Sequence, residues 1–185
     1  MKHFRVFPQI PGAAPADRGG LHVPPSSGFA RIDNPAWYDV LYVAHDPAAV
    51  AEAFGSRDIW RPATFVHTIG GHTNPYALAT HELPDDTPIF DVNDVDALRS
   101  LGVKRPTDIV TRDRATTQAW AETIFNGGGF AGVRWWSYDN PHWRVAGLWD
   151  RGTRTSAAAP EILTTSSTAV LAAAKTIVRQ IVPSS

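Results

Sequence analysis

No cysteine occurs among the 185 residues, which excludes a disulfide scaffold, a thiolate metal site and a cysteine nucleophile together. Stability has to come from packing. An excess of charge of either sign is also missing: 17 Lys and Arg stand against 18 Asp and Glu. No overall basic field is available to neutralise phosphates, so direct nucleic acid binding is not expected. The longest apolar run, Ala169 to Ala174, is far short of the ~20 residues that span a bilayer. Near the N-terminus, Pro8, Pro11, Gly12 and Pro15 interrupt anything that could serve as a signal-peptide core. The chain reads as cytoplasmic, without membrane contact, with small molecules or proteins as partners.

What is present is enough apolar residue for one core, 43% of the chain, and the length suits one domain over 1–185. Strand patterning is expected over His3 to Phe7, Val40 to Ala44, Trp60 to His67, Tyr76 to Thr80, Val133 to Trp136 and Val145 to Trp149, with a Gly70-Gly71 turn inside the set. Asp46 as N-cap and Pro47 at the first helical position open a helix over Ala48 to Phe54 that Gly55 closes. Asn93 or Asp94 caps a short helix ending before Gly102, and Asp113 caps a longer one that ends at Gly127. A final helix over 166–182 carries Val170, Leu171, Ala174, Ile177, Val178 and Ile181 at helical spacing. Thr153 to Ser167 reads as a surface segment, and Pro8 to Gly28 as a long proline- and glycine-rich loop of the kind that covers a site. The fold class is α/β (α+β), a mixed central sheet with flanking helices.

Several motifs fail on context. Gly127, Gly129 and Gly132 have GxGxxG spacing, but a helix precedes them and a strand follows, the reverse of a dinucleotide-binding turn. His81-Glu82 begins like HExxH, but Pro84 interrupts the helix and position 85 is Asp, so no metal is expected. The seven tryptophans are core filling by default or a sugar-binding face. Trp135 and Trp136, adjacent on a strand, point to opposite faces, so one of them is free to line a cleft. Taken singly, Arg31, Tyr42, Glu52 and Ser137 each have a bland surface or strand explanation.

Their surroundings change that balance. Phe4-Arg5-Val6, Gly28-Phe29-Ala30-Arg31-Ile32-Asp33 and Val40 to Pro47 leading to Ala51-Glu52 come in order, followed by Phe90 to Asp94, Thr117 to Ala121 and Gly132 to Ser137. Together, over about residues 4 to 150, they resemble the RES domain family, named for an arginine, a glutamate and a serine that fall here on Arg31, Glu52 and Ser137. The resemblance implies a compact domain related to the ADP-ribosyltransferase fold. It implies a toxin of a toxin–antitoxin pair that consumes NAD by phosphorolysis or hydrolysis, or in some members ADP-ribosylates a protein. The implied partner is an Xre-type helix-turn-helix antitoxin. NAD would be substrate, inorganic phosphate a possible co-substrate, and no tightly bound cofactor is implied.

The residue types suit that chemistry. Breaking the nicotinamide–ribose bond passes through an oxocarbenium-like state, which an ionised carboxylate, Glu52, stabilises more than it stabilises the ground state. Pyrophosphate calls for a planar donor fork, supplied by Arg31 and Arg5. Tyr42 can stack on or hydrogen-bond the nicotinamide riboside end. Ser137 can hydrogen-bond ribose or carboxamide, or orient Glu52. No histidine motif accompanies Ser137, so it is not expected to be a covalent nucleophile. Transfer of ADP-ribose to a protein is the second reading, and a non-catalytic ligand- or sugar-binding module the third.

Overall fold

The computed structural model describes residues 1–69, 71–104, 111–150, 155–156 and 158–183. Strands β1 (Lys2–Pro8) and β2 (Val40–Ala44) precede helix α1 (Asp46–Phe54). Short β3 (Ile59–Trp60), then β4 (Val66–Ile69), β5 (His72–Glu82) and β6 (Phe90–Asp91) lead to helices α2 (Val95–Ser100) and α3 (Arg114–Gly127). The chain ends with β7 (Gly132–Trp136), β8 (Arg144–Trp149), β9 (Thr155–Ser156), β10 (Glu161–Ile162), helix α4 (Thr168–Thr176) and β11 (Gln180–Ile181). The main sheet runs β10-β5-β1-β2-β8-β7-β6, with β4 and β9 also paired to β5. It is mixed: β6 lies parallel to β7 and the other pairs are antiparallel.

Alternation along the central strands sorts their side chains onto two faces. Val40, Ala44, Val133, Trp135, Val145 and Trp149 share one large core with Val50 and Phe54 of α1, Leu98 of α2, Trp120 and Ile124 of α3 and Val170 of α4. Leu41, Val43, Ala146 and Leu148 turn to the opposite face, where Val23 of the long loop packs on them. Helices therefore cover one face and the loop part of the other. The loop is pinned to the sheet. A side chain at Gly20 would run into Ala79 of β5, and Arg5 of β1 donates from Nη1 to the carbonyl oxygens of Gly20 and His22.

Helix starts follow the capping logic of the sequence. The Asp94 carboxylate accepts from the amides of Asp96 and Ala97, and that of Asp113 from the amide of Ala115, bonds that each stabilise a helix by ~1 kcal/mol. In α1 the cap falls on His45 rather than Asp46, with proline in the first turn.

Three sequence expectations need correction. Trp60 to His67 is not one strand, because Pro62 enters a 3-10 turn over Pro62–Phe65 that separates β3 from β4. The final helix stops at Thr176 instead of running through 182. Val178 adopts a left-handed backbone with φ 54°, the Arg179 amide turns back to the Ala174 carbonyl, and the chain leaves as β11, parallel to β3. Thr153 to Ser167 is not merely surface: its described residues supply β9 and β10, both paired with β5. Gly70 of the expected turn lies outside the described residues; Gly71 has φ 82°. No helix among the described residues is long and apolar enough to cross a membrane.

Candidate active site

The sheet is not continuous at its centre. β1 and β2 are joined by one residue pair, Phe4 with Ala44. Beyond it the two strands splay, and the gap forms an open pocket of about 220 Å³. Phe4, Arg5 and Val6 line it from one strand and Val40, Tyr42 and Val43 from the other, with Glu52 and Ala53 of α1 and Pro24 of the long loop completing the wall. Three of the five residues singled out from the sequence, Arg5, Tyr42 and Glu52, thus line one pocket.

Glu52 reaches solvent through the mouth of this pocket while protein surrounds it on the other sides. That burial pushes its carboxyl above the ordinary range, and Asp139 adds to the effect. A hydrogen bond from Ser137 and the charge of Arg31 pull it back down. Ser137 follows β7 directly and is 1% exposed. Its Oγ donates to Glu52 Oε1 at 2.7 Å and accepts from the Asp139 amide at 3.1 Å. Its one donor is committed to the carboxylate and one lone pair to the amide, a geometry that holds Glu52 Oε1 in place.

Arg31 stands on a turn that several buried polar groups build. Asp33 accepts from the Ser27 amide and hydroxyl, the Ala30 amide and the Tyr42 hydroxyl. Burial alone would raise the Asp33 carboxyl, but these hydrogen bonds outweigh it and hold it below the usual range. Tyr42 Oη also accepts from the Ile32 amide at 3.2 Å, so the hydroxyl is committed to the turn and only the ring is left for the pocket. From α3, Gln118 donates to the carbonyls of Gly28 and Ala30, and Thr117 to that of Arg31. Gly147 lies opposite Tyr42 in β8, and a Cβ there would strike Ile32 and Val40. The glycine gives the turn its seat on the sheet.

Fixed in this way, the Arg31 guanidinium donates to the Thr111 carbonyl at 3.2 Å and lies 5.9 Å from the Trp135 ring centre. Trp135 meets Tyr42 edge-on at 6.3 Å, which makes it the member of the tryptophan pair that flanks the site. Burial and the neighbouring Arg114 weaken the hold of Arg31 on its proton, while Glu52 and Tyr42 strengthen it; it remains a cation at any working pH. Arg31, Tyr42, Glu52 and Ser137 therefore form one connected cluster. Arg5 differs from them. It alternates to the face of Phe7, 5.9 Å from that ring, and its Nη1 is spent on the long loop.

The sequence reading assigned no role to Asp33, Thr117, Gln118 or Asp139. The first three stand inside the motifs already singled out, and a polar residue in an otherwise apolar word is the signal that marks them. Asp139 carries no such mark. Among the described residues no three His, Asp or Glu side chains are grouped as metal ligands. Chemically, the cluster offers a carboxylate held by a hydroxyl, a guanidinium near enough to act on that carboxylate, and the aromatic rings of Tyr42 and Trp135.

A search of the curated proteins finds no match. The model of the RES domain matches residues 4–173, so the similarity continues beyond residue 150 into α4 and takes in the whole cluster. The chain belongs to the RES domain family.

Proposed function

We propose that this protein cleaves the nicotinamide–ribose bond of NAD, releasing nicotinamide and passing the ADP-ribosyl group to phosphate or water. The observation that carries the reading is the Ser137–Glu52 hydrogen bond of 2.7 Å at the wall of the open pocket, with the Arg31 cation acting on the same carboxylate. As the bond to nicotinamide breaks, positive charge develops on the ribose. A fixed, ionised Glu52 stabilises that charge without reorganising, and Arg31 offers the diphosphate a donor fork. Ser137 keeps the carboxylate in one rotamer and favours its ionised form. The acceptor enters after nicotinamide departs, through the same mouth by which Glu52 meets solvent.

In the producing cell such an activity needs control. A helix-turn-helix partner covering the mouth would supply it, and the family resemblance is what supports that partner.

The test is nicotinamide release from NAD by purified protein, with and without phosphate, beside Glu52→Gln. Wild type is expected to release nicotinamide, with the amide variant at least about a hundredfold slower, the scale of losing one preorganised electrostatic group. Phosphate dependence separates phosphorolysis from hydrolysis, and label moving onto protein identifies ADP-ribosyl transfer. Full activity in Glu52→Gln removes the carboxylate mechanism. At neutral pH the same variant is expected to melt higher than wild type. A carboxyl whose folded pKa is raised favours folding while protonated, and that contribution is lost as pH rises from its unfolded value through the folded one.

A further inference from the structure

We propose that Arg112 and Tyr138 form a stacking platform for the adenine base of the dinucleotide whose reactive end lies at Glu52; the proposal rests on the NAD reading above. The Arg112 guanidinium carbon sits 4.6 Å from the Tyr138 ring centre, although the two residues come from different segments. Each segment is tied to the cluster. Thr111, next to Arg112, receives the hydrogen bond of Arg31, and Tyr138 follows Ser137, which holds Glu52. The pair therefore links the segment that holds Arg31 to the segment that holds Glu52.

Tyr138 is 78% exposed. A single exposed aromatic is ordinary on a protein surface, but this one is stacked by a cation from a separate segment and still presents most of its surface to solvent. A purine stacks well on such a pair, since tyrosine and guanidinium both offer flat, polarisable faces. The groups tied together here also differ in chemistry as the parts of the ligand do. The platform suits a neutral planar base. Arg31, with Arg114 near enough to act on its charge, suits the diphosphate, and Glu52 suits the ribosyl nicotinamide. Asp113, between two of these arginines, is turned away from them by its bonds to the Ala115 amide and the Thr116 hydroxyl.

The experiment compares wild type, Tyr138→Ala and Tyr138→Phe on NAD and on nicotinamide mononucleotide, which lacks the adenylate half. Calorimetric titration with ADP-ribose accompanies the kinetics. Base stacking on an aromatic is worth ~1–3 kcal/mol, so Tyr138→Ala should raise KM for NAD and weaken ADP-ribose binding by roughly 5- to 150-fold. Tyr138→Phe should stay close to wild type, and the loss should be absent with the mononucleotide. An equal loss on both substrates, or unchanged ADP-ribose affinity in Tyr138→Ala, overturns the platform. The two proposals fail separately. Wild type that binds ADP-ribose in a Tyr138-dependent way but releases no nicotinamide refutes the reaction and keeps the platform. Wild type that releases nicotinamide but binds no ADP-ribose keeps the reaction and overturns the platform, and wild type that does neither refutes both.

Discussion

Replacing Ser137 with alanine removes the one hydrogen bond that holds the Glu52 carboxylate down against burial and Asp139. A hydrogen bond to a charged group is worth ~1.5–3 kcal/mol, and a pKa unit corresponds to about 1.4 kcal/mol. The Glu52 carboxyl should therefore climb further above its ordinary range in Ser137→Ala, by less where water entering the open pocket replaces the lost donor. The working form is the carboxylate, so activity falls as pH drops through this pKa, and the variant loses activity at a higher pH than wild type does. Nicotinamide release measured from pH 4 to 9 is the assay. Its acid limb in kcat/KM should move upward while the plateau at high pH stays within about tenfold of wild type, because general positioning effects of this kind span far less than removal of the charge itself. An acid limb that does not move refutes the assignment of Ser137 to Glu52. A plateau lost at every pH shows instead that the hydroxyl touches substrate.

Other substitutions test the scaffold. Arg31→Lys keeps the charge but loses the planar fork, so NAD affinity should fall by about tenfold or more with the circular dichroism spectrum unchanged. Gly147→Ala drives a methyl group into Ile32 and Val40; overpacking of this sort costs ~1–3 kcal/mol, to be read as a lower melting temperature together with weaker NAD turnover, because the Arg31 turn sits on Ile32. Val178 is a β-branched residue at positive φ and 86% exposed. Val178→Gly should therefore stabilise the fold by about 1 kcal/mol in a denaturant titration.

Local features of the fold were readable from the chain alone. Asp94 and Asp113 cap the helices they precede, and the alternation of β2, β7 and β8 sorts their side chains onto the faces they occupy. Errors came where a local pattern competes with distant contacts. Ile177, Val178 and Ile181 keep helical spacing, yet pairing with β3 and the Arg179 bonds to the Gly55 carbonyl pull the chain out of the helix. Composition could not say that Tyr42 spends its hydroxyl on Asp33, or that Arg5 spends a nitrogen on the loop, because those partners are fixed only once strands have a register. The link between Glu52 and Ser137 spans 85 positions. Family resemblance brought those two residues together on paper, and hydrogen-bond geometry supplies the reason they belong together.

Since β1 and β2 meet at one residue pair, the sheet amounts to two halves that need a joint, and α1 is that joint. It packs on both β1 and β2 and against α4, while Arg179 clamps the Gly55 carbonyl just past its end. The helix that braces the halves also carries Glu52. A helix placed in this way couples the position of the Glu52 carboxylate to the packing of both halves. Under the proposed activity, a partner that left the fold intact would act at the mouth of the pocket, because the helix that carries the carboxylate also joins the two halves of the sheet.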